Sequence, residues 1–154
     1  MIIGLAFKNQ QIDITKYATL ERILLGIGGR QLVYSPIEFD VDIDVLIKYG
    51  LNFKYKAVGC VSGDECRCHD NAEKIMHAFP FVCQIGHGFA LSEDDGLWRC
   101  HSWIVWKDMA IVETTTSRAA YFGIHVASRN TLRKYWNLPP RLQGGFRAQL
   151  EQDC

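Results

Sequence analysis

Between residues 81 and 116, apolar residues first occupy every second position, at Phe81, Cys83 and Ile85, as in a β-strand, and then form two apolar runs on either side of residues 107–108. Turn residues interrupt this region twice, with Glu-Asp-Asp-Gly at 93–96 and Lys-Asp at 107–108. The pattern predicts three strands, Phe81–Ser92, Leu97–Trp106 and Met109–Thr116, joined as an antiparallel meander.

Apolar residues at helical spacing predict a helix at Tyr17–Ile27, which the glycine pair at 28–29 would end. Gln31–Tyr34 is predicted to be a short strand. Over Phe39–Val45, apolar and acidic residues alternate strictly, as in an amphipathic strand with one wet face. The end of this segment can also continue as a helix that Gly50 ends, so both structures remain open.

A second helical stripe ends at Pro80, and its apolar members are Ala72, Ile75, Met76 and Phe79. Its start is not fixed, because capping-box spacings occur both at 62–65 and at 70–73. Cys68 lies four residues before Ala72, so a helix that already covers Cys68 turns the thiol inward along the stripe. The dipole of such a helix start favours a thiolate.

These elements together predict an α+β protein. A length of 154 residues fits a single domain spanning 1–154, and a hydrophobic content of 48% fits a globular fold. Seventeen acidic residues balance seventeen basic ones, so we expect neither nucleic acid nor a membrane as a partner. No apolar run can span a bilayer and no signal peptide is recognisable, which predicts a cytoplasmic protein.

Three residues in chain order, Cys68, His101 and Glu113, have the types of a nucleophile, its base and the carboxylate that orients the base. Side chains alternate along a strand, so the turn decides whether the last two meet. We expect a three-residue loop at 107–109 to place His101 opposite Glu113. A two-residue loop would pair position 101 with position 114 and send Glu113 to the other face.

Four short segments carry a resemblance to the papain-like superfamily, and within it to transglutaminase-like proteins. They are Cys-His-Asp-Asn-Ala at 68–72, Gly-Phe-Ala-Leu at 88–91, His-Ser-Trp at 101–103 and Glu-Thr-Thr at 113–115. The resemblance implies a papain-like/transglutaminase-like core within about residues 60–126. In such a core, a helix carrying Cys at its N-terminus packs on an antiparallel sheet. The acid here is Glu113, where the family commonly has Asp.

The resemblance implies a cysteine-dependent hydrolase or acyltransferase that acts on a peptide or amide substrate without a cofactor. Cys68 would attack the acyl carbon, and His101 would take the thiol proton and later give it to the leaving group. Glu113 would orient the imidazole and favour its charged form. The backbone N–H of Cys68 would stabilise the oxyanion.

Aromatic residues are expected to enclose this site. Trp103 is the predicted substrate-binding residue, as a wall that keeps water from the catalytic pair. Tyr121 or Trp136 is expected to add a further wall. The resemblance does not decide whether the acyl group passes to water or to an amine, and a transglutaminase or a deamidase that acts on protein glutamine is an alternative.

Other soft side chains leave alternatives open. The six cysteines are Cys60, Cys66, Cys68, Cys83, Cys100 and Cys154, and without a secretion signal we expect reduced thiols. Cys66 is a rival nucleophile. A structural zinc site drawn from these cysteines with His69 or His101 is a second hypothesis, although the Cys66-x-Cys68 spacing is tighter than usual and no metal is assigned. A binding module built on a decayed papain-like fold is a third.

Overall fold

The computed structural model describes residues 14–34, 43–53, 59–65, 67–106 and 110–126, which form an α+β fold. The helices in these ranges are α1 (Ile14–Ile27), α2 (Ile43–Tyr49) and α3 (Cys68–Ala78). The strands are β1 (Gln31–Leu32), β2 (Leu51–Phe53), β3 (Gly59–Cys60), β4 (Cys83–Ser92), β5 (Leu97–Trp106), β6 (Ala110–Glu113) and β7 (Arg118–Val126).

The strands form one mostly antiparallel sheet in the order β2-β7-β4-β5-β6-β3. The predicted meander is confirmed, because β4 pairs with β5 from Cys83↔Trp106 to Leu91↔Trp98 and β5 pairs with β6. β3 runs parallel to β6, and β1 runs parallel to the start of β5. Since β4 holds one edge of β5, β1 and β6 share the other edge.

The two faces of the sheet have different coverings. On one, here called the helical face, residues of α1, α2 and α3 pack against alternate residues of the long strands; examples are Leu20, Leu46, Ala72, Ile85 and Ile104. The opposite face has a second buried cluster of Phe53, Ala90, Trp103, Val105, Ile111 and Tyr121. The helix that starts with Cys68 therefore packs on an antiparallel sheet, as the sequence predicts.

The structure decides three local details of the fold. Of the two structures left open before Gly50, the chain has the helix, which starts at Ile43, because Ile43 and Leu46, three residues apart, are buried on one side of α2. Neither capping-box start is used: α3 begins at Cys68, after Arg67, and Arg67 forms an ion pair of 2.9 Å with Asp70. The sequence also predicts a short strand at 124–126 and a helix at 130–136, and the strand is in fact nine residues long.

The predicted helix at 130–136 and the residues Cys66, Trp136 and Cys154 lie outside the described ranges. None of the helices within those ranges has the length and apolar character that crossing a membrane requires.

Candidate functional site

His101 and Glu113 form a buried hydrogen-bonded pair on the opposite face of the sheet. The His101 Nε2 atom lies 3.0 Å from both carboxylate oxygens of Glu113. Each side chain is only 1% exposed. The Nε2–H of His101 therefore donates to the carboxylate, and Nδ1 is the nitrogen through which the ring can exchange a proton with another group.

Four further donors hold the Glu113 carboxylate. Its Oε1 accepts from the backbone N–H of Thr114 at 2.8 Å, and from the N–H and hydroxyl of Thr115 at 3.0 and 3.1 Å. Its Oε2 accepts from the Tyr121 hydroxyl at 2.8 Å. These four bonds fix the position of the carboxylate without any contribution from His101. A group that orients a base must itself be held in this way.

The expected register between His101 and Glu113 is wrong by two residues. Trp106 pairs with Ala110 and Ile104 with Val112, so continuing the same register sets Glu113 beside Trp103. The two residues of the pair still share a face, because a shift of two preserves the alternation. Glu113 reaches His101 along a diagonal, a span of about 7–8 Å between backbones that suits a long side chain.

The charge state of the pair follows from its burial. Loss of water lowers the pKa of His101 below 6.5, and the positive charge of Arg118 acts in the same direction, while Glu113 opposes both. Burial alone would raise the pKa of Glu113, but His101, Tyr121 and Thr114 outweigh it and lower the pKa to about 2. We conclude that Glu113 is ionised and His101 neutral at neutral pH. Glu113 favours the charged form of the imidazole, as expected, but burial has the larger effect on the pKa of His101.

Trp103 has no exposed surface, so it does not line an open substrate groove. Its ring stacks near that of His101, with centroids 6.4 Å apart and planes 23° apart, and it lies 5.0 Å from the Tyr121 ring. Gly86 permits this packing, since a Cβ there would come within 2.0 Å of the indole Nε1. Trp103 thus covers the His101–Glu113 pair, and Tyr121 packs beside it.

Cys68 is the first residue of α3 and is 1% exposed. Two hydrogen bonds fasten the first turn of α3 next to the His101–Glu113 pair. His69 Nδ1 lies 2.7 Å from the hydroxyl of Ser102, the residue after His101. Asn71 Nδ2 donates to the carbonyl of Thr114, the residue after Glu113, at 3.4 Å.

Asn71 also fixes the loop that leads into α3. Its Nδ2 donates to the Asp64 carbonyl at 2.8 Å, and its Oδ1 accepts from the Asp64 N–H at 3.3 Å. Gly63 packs so closely on this amide that a Cβ would come within 2.4 Å of it. Sequence reasoning regarded Asn71 as an ordinary first-turn residue, and its C-x-x-N spacing from Cys68 was the available signal.

The body of α3 lies on the helical face, whereas His101 projects from the opposite face with Trp103. One edge of β5 offers a connection between the faces. β1 pairs with this edge at Leu97 and Trp98, and β6 pairs with it from Ile104 to Trp106. His101 lies between these two paired stretches.

A buried chain of polar groups runs along the helical face beside this edge. Ser102 lies 2.7 Å from His69 Nδ1 and 3.1 Å from His87 Nδ1, and the two imidazole rings are 5.7 Å apart. One hydroxyl has a single proton, so one of the two Nδ1 atoms must itself be protonated. The three side chains therefore fix each other's orientation and hold the start of α3 against β5.

Arg118 is a second residue that sequence reasoning missed. β7 pairs with β4 from Val126 to Ala120, but Ser92 pairs with Arg118, so Ala119 is an extra residue in a bulge. Because of the extra residue, Arg118 lies on the same face as Tyr121, and it is 8% exposed there. No sequence signal marks this bulge.

The remaining soft ligands do not gather. Within the described ranges, no three His, Cys, Asp or Glu side chains are placed to hold a metal ion. No disulfide joins any two of Cys60, Cys68, Cys83 and Cys100, and Cys60 is exposed. Comparison of the chain with family models, with curated proteins and with solved structures finds no match.

Proposed function

We propose that this protein is a cysteine-dependent hydrolase or acyltransferase of the papain-like kind, with Cys68 as nucleophile, His101 as base and Glu113 as the orienting acid. The observation that carries the proposal is the buried His101–Glu113 pair. Burying an ionised carboxylate and an imidazole costs free energy that apolar residues would not, so such pairs concentrate where chemistry requires them.

The proposed reaction begins with neutral His101. The thiol proton of Cys68 passes to His101 Nδ1 as the sulfur bonds to the acyl carbon of a peptide or amide. The bond from that carbon to the leaving nitrogen breaks, and the nitrogen takes the proton from His101. Water or an amine then attacks the thioester, gives a proton to His101, and releases the acyl product while the proton returns to the Cys68 sulfur.

Glu113 supports this cycle in two ways. It accepts from Nε2–H, which keeps the lone pair on Nδ1, and its charge stabilises the imidazolium that forms during the reaction. The low pKa of Glu113, about 2, means that it stays ionised throughout. Trp103 and Tyr121 keep water away from the pair, which strengthens these interactions.

The edge of β5 between β1 and β6 is where the nucleophile and the base are proposed to meet. His69 and Asn71 bind residues that directly follow His101 and Glu113, so the N-terminus of α3 is anchored at this edge. The thiol must pass along the edge to reach Nδ1, and its backbone N–H then points to the developing oxyanion. A structure of the thioester form tests this placement directly.

The experiment uses p-nitrophenyl acetate, an activated ester that requires no knowledge of the natural substrate. We expect a burst of one nitrophenolate per chain, with the acetyl group found on Cys68 by peptide mapping. Cys68→Ala should abolish the burst and His101→Ala should slow it, whereas Cys60→Ala should retain it. Acetylation of Cys60, or an equal burst from Cys68→Ala, would show that the nucleophile is misassigned.

The same acetyl intermediate separates hydrolysis from transfer. With glycinamide added, a hydrolase releases acetate at an unchanged yield, whereas an acyltransferase releases N-acetylglycinamide in its place. Either product supports a thioester mechanism. A protein that forms no acyl intermediate with the ester in any arm is not an acyl-transfer enzyme of this kind.

A further inference from the structure

Arg118 is a buried cation that forms no ion pair with an Asp or Glu of the described residues. The residue is 8% exposed, and its Nε atom has no hydrogen-bond partner among the residues that the structure describes. Burying a charge without such partners is costly, so a site of this kind is completed by a ligand of opposite charge.

Arg99, on the same face, is an arginine whose guanidinium is paired with a carboxylate. Arg99 pairs with Ala90 of the second buried cluster, and its guanidinium binds Asp95 with two bonds of 3.0 and 2.6 Å. This is the two-pronged geometry that a guanidinium and a carboxylate prefer. Arg118 has the same five donors and lacks that carboxylate within the described residues.

The bulge at Ala119 directs Arg118 toward the candidate site. The Ser92–Arg118 pair places the side chain on the face from which Tyr121 projects, and Tyr121 binds Glu113. The guanidinium is also close enough for its charge to contribute, after burial, to the lowered pKa of His101. Bulges commonly redirect side chains in this way beside active sites.

We propose that Arg118 binds a carboxylate of the acyl substrate, so that the substrate is a peptide or amide with a carboxylate near its reacting group. The proposal deepens the proposed function and rests on it. The carboxylate belongs to a free C-terminus or to an acidic side chain. A guanidinium fork recognises either through two parallel hydrogen bonds, which fix orientation as well as affinity.

The test measures how small ligands protect Cys68 from iodoacetamide. N-acetylglycine carries the carboxylate of a C-terminus, N-acetylaspartic acid α-amide carries that of a side chain, and N-acetylglycinamide is the neutral control. At least one acid should protect at about tenfold lower concentration than the neutral amide, the effect of a hydrogen bond to a charged group. The better of the two acids identifies the source of the carboxylate.

Variants assign this preference to Arg118. Arg118→Gln should remove it, Arg118→Lys should keep part of it because the charge remains without the fork, and Arg99→Gln should leave it intact. Circular dichroism of each variant verifies that it folds. Equal protection by acids and amide in the native protein, or a preference that survives Arg118→Gln, overturns the proposal.

A second readout separates this proposal from the proposed function. Saturation-transfer NMR detects binding of the same three compounds without using the thiol. If Cys68 does not react in any arm but both the acid preference and its loss in Arg118→Gln appear by NMR, the carboxylate site stands and the nucleophile assignment fails. If Cys68 reacts normally and NMR shows no acid preference, only the carboxylate site fails.

Discussion

At the scale of single residues, the length of the Glu113 side chain matters as much as its charge. The carboxylate must span a diagonal between two strands to reach His101 Nε2 at 3.0 Å, and it must also meet Tyr121 and two threonines. Asp is shorter by one methylene and cannot cover that span from the same backbone position. The contact with His101 therefore requires a Glu at position 113.

Two substitutions separate length from charge. Glu113→Asp should release the imidazole and destabilise the protein by about 1–3 kcal/mol, since it leaves buried donors unpaired. Glu113→Gln keeps the length and an acceptor, so the Nε2–H tautomer should survive while the pKa of His101 falls further. Nitrogen-15 NMR of the His101 ring measures both its tautomer and its pKa. A native tautomer in Glu113→Asp would contradict the diagonal contact.

The pair itself was predictable from sequence, and its neighbours were not. Alternation along two strands places His101 and Glu113 on one face when the turn between them has the three residues expected at 107–109. The register was beyond reach, because a shift of two residues changes neither pattern nor face. Arg118 was also out of reach, because it reaches that face only through the bulge at Ala119, and bulges leave no periodic signal.

At the scale of elements, the start of α3 is held by side chains rather than by a helix cap. No side chain caps the helix at Arg67. Instead, Asn71 joins the 63–64 loop to the residue after Glu113, and His69 joins α3 to β5 through Ser102. Because Cys68 is the first residue of α3, these bonds hold its backbone in position, and the proposed chemistry depends on them.

Removing the Asn71 amide tests this. Asn71→Ala removes the acceptor of the Asp64 N–H and one donor each from the carbonyls of Asp64 and Thr114, each of which keeps another backbone N–H donor. We expect a loss of about 1 kcal/mol in the free energy of unfolding. Urea denaturation measures the loss. Asn52→Ala, at an exposed position of β2, is the matched control and should change stability by less than about 0.5 kcal/mol. Equal effects from the two would contradict the clamp.

The helix α1 and the meander followed from periodicity, whereas β7 did not, for a physical reason. β7 is buried on both faces: Tyr121 belongs to one cluster, and Phe122 and Ile124 to the other. A strand covered on both sides has no polar alternation to detect. In α2 the pattern was misleading in another way. Alternation over Phe39–Val45 favoured a strand, whereas Ile43–Tyr49 is helical.

At the scale of the whole molecule, burying neutral His101 makes stability depend on pH. The pKa of His101 is lowered in the folded state, so the unfolded chain binds more protons once the pH falls below 6.5. The stability that His101 contributes is therefore fully present above about pH 6.5 and decreases as the pH falls below that value. Burial lowers the pKa of His125 as well and adds to the same slope.

A pair of histidine substitutions isolates this contribution. His101→Gln removes a titrating group, so the decrease in unfolding free energy between pH 7 and pH 5 should become shallower, whatever the stability at pH 7. His77→Gln, at an exposed position of α3, should leave the slope unchanged. Urea midpoints across the pH range give both slopes. An unchanged slope in His101→Gln would mean that folding does not shift the pKa of His101, and a steeper slope would mean that folding raises it; either result contradicts a buried neutral ring.

The central claim, that Cys68 is a nucleophile served by His101, is tested most directly by limited alkylation with iodoacetamide followed by peptide mapping. Exposure alone favours Cys60, which is open to solvent, over Cys68, which is 1% exposed. We predict the reverse: Cys68 is alkylated faster than Cys60 near neutral pH. His101→Ala should lower the alkylation rate of Cys68 and leave that of Cys60 unchanged. Faster labelling of Cys60, with His101→Ala changing nothing at Cys68, would contradict the account.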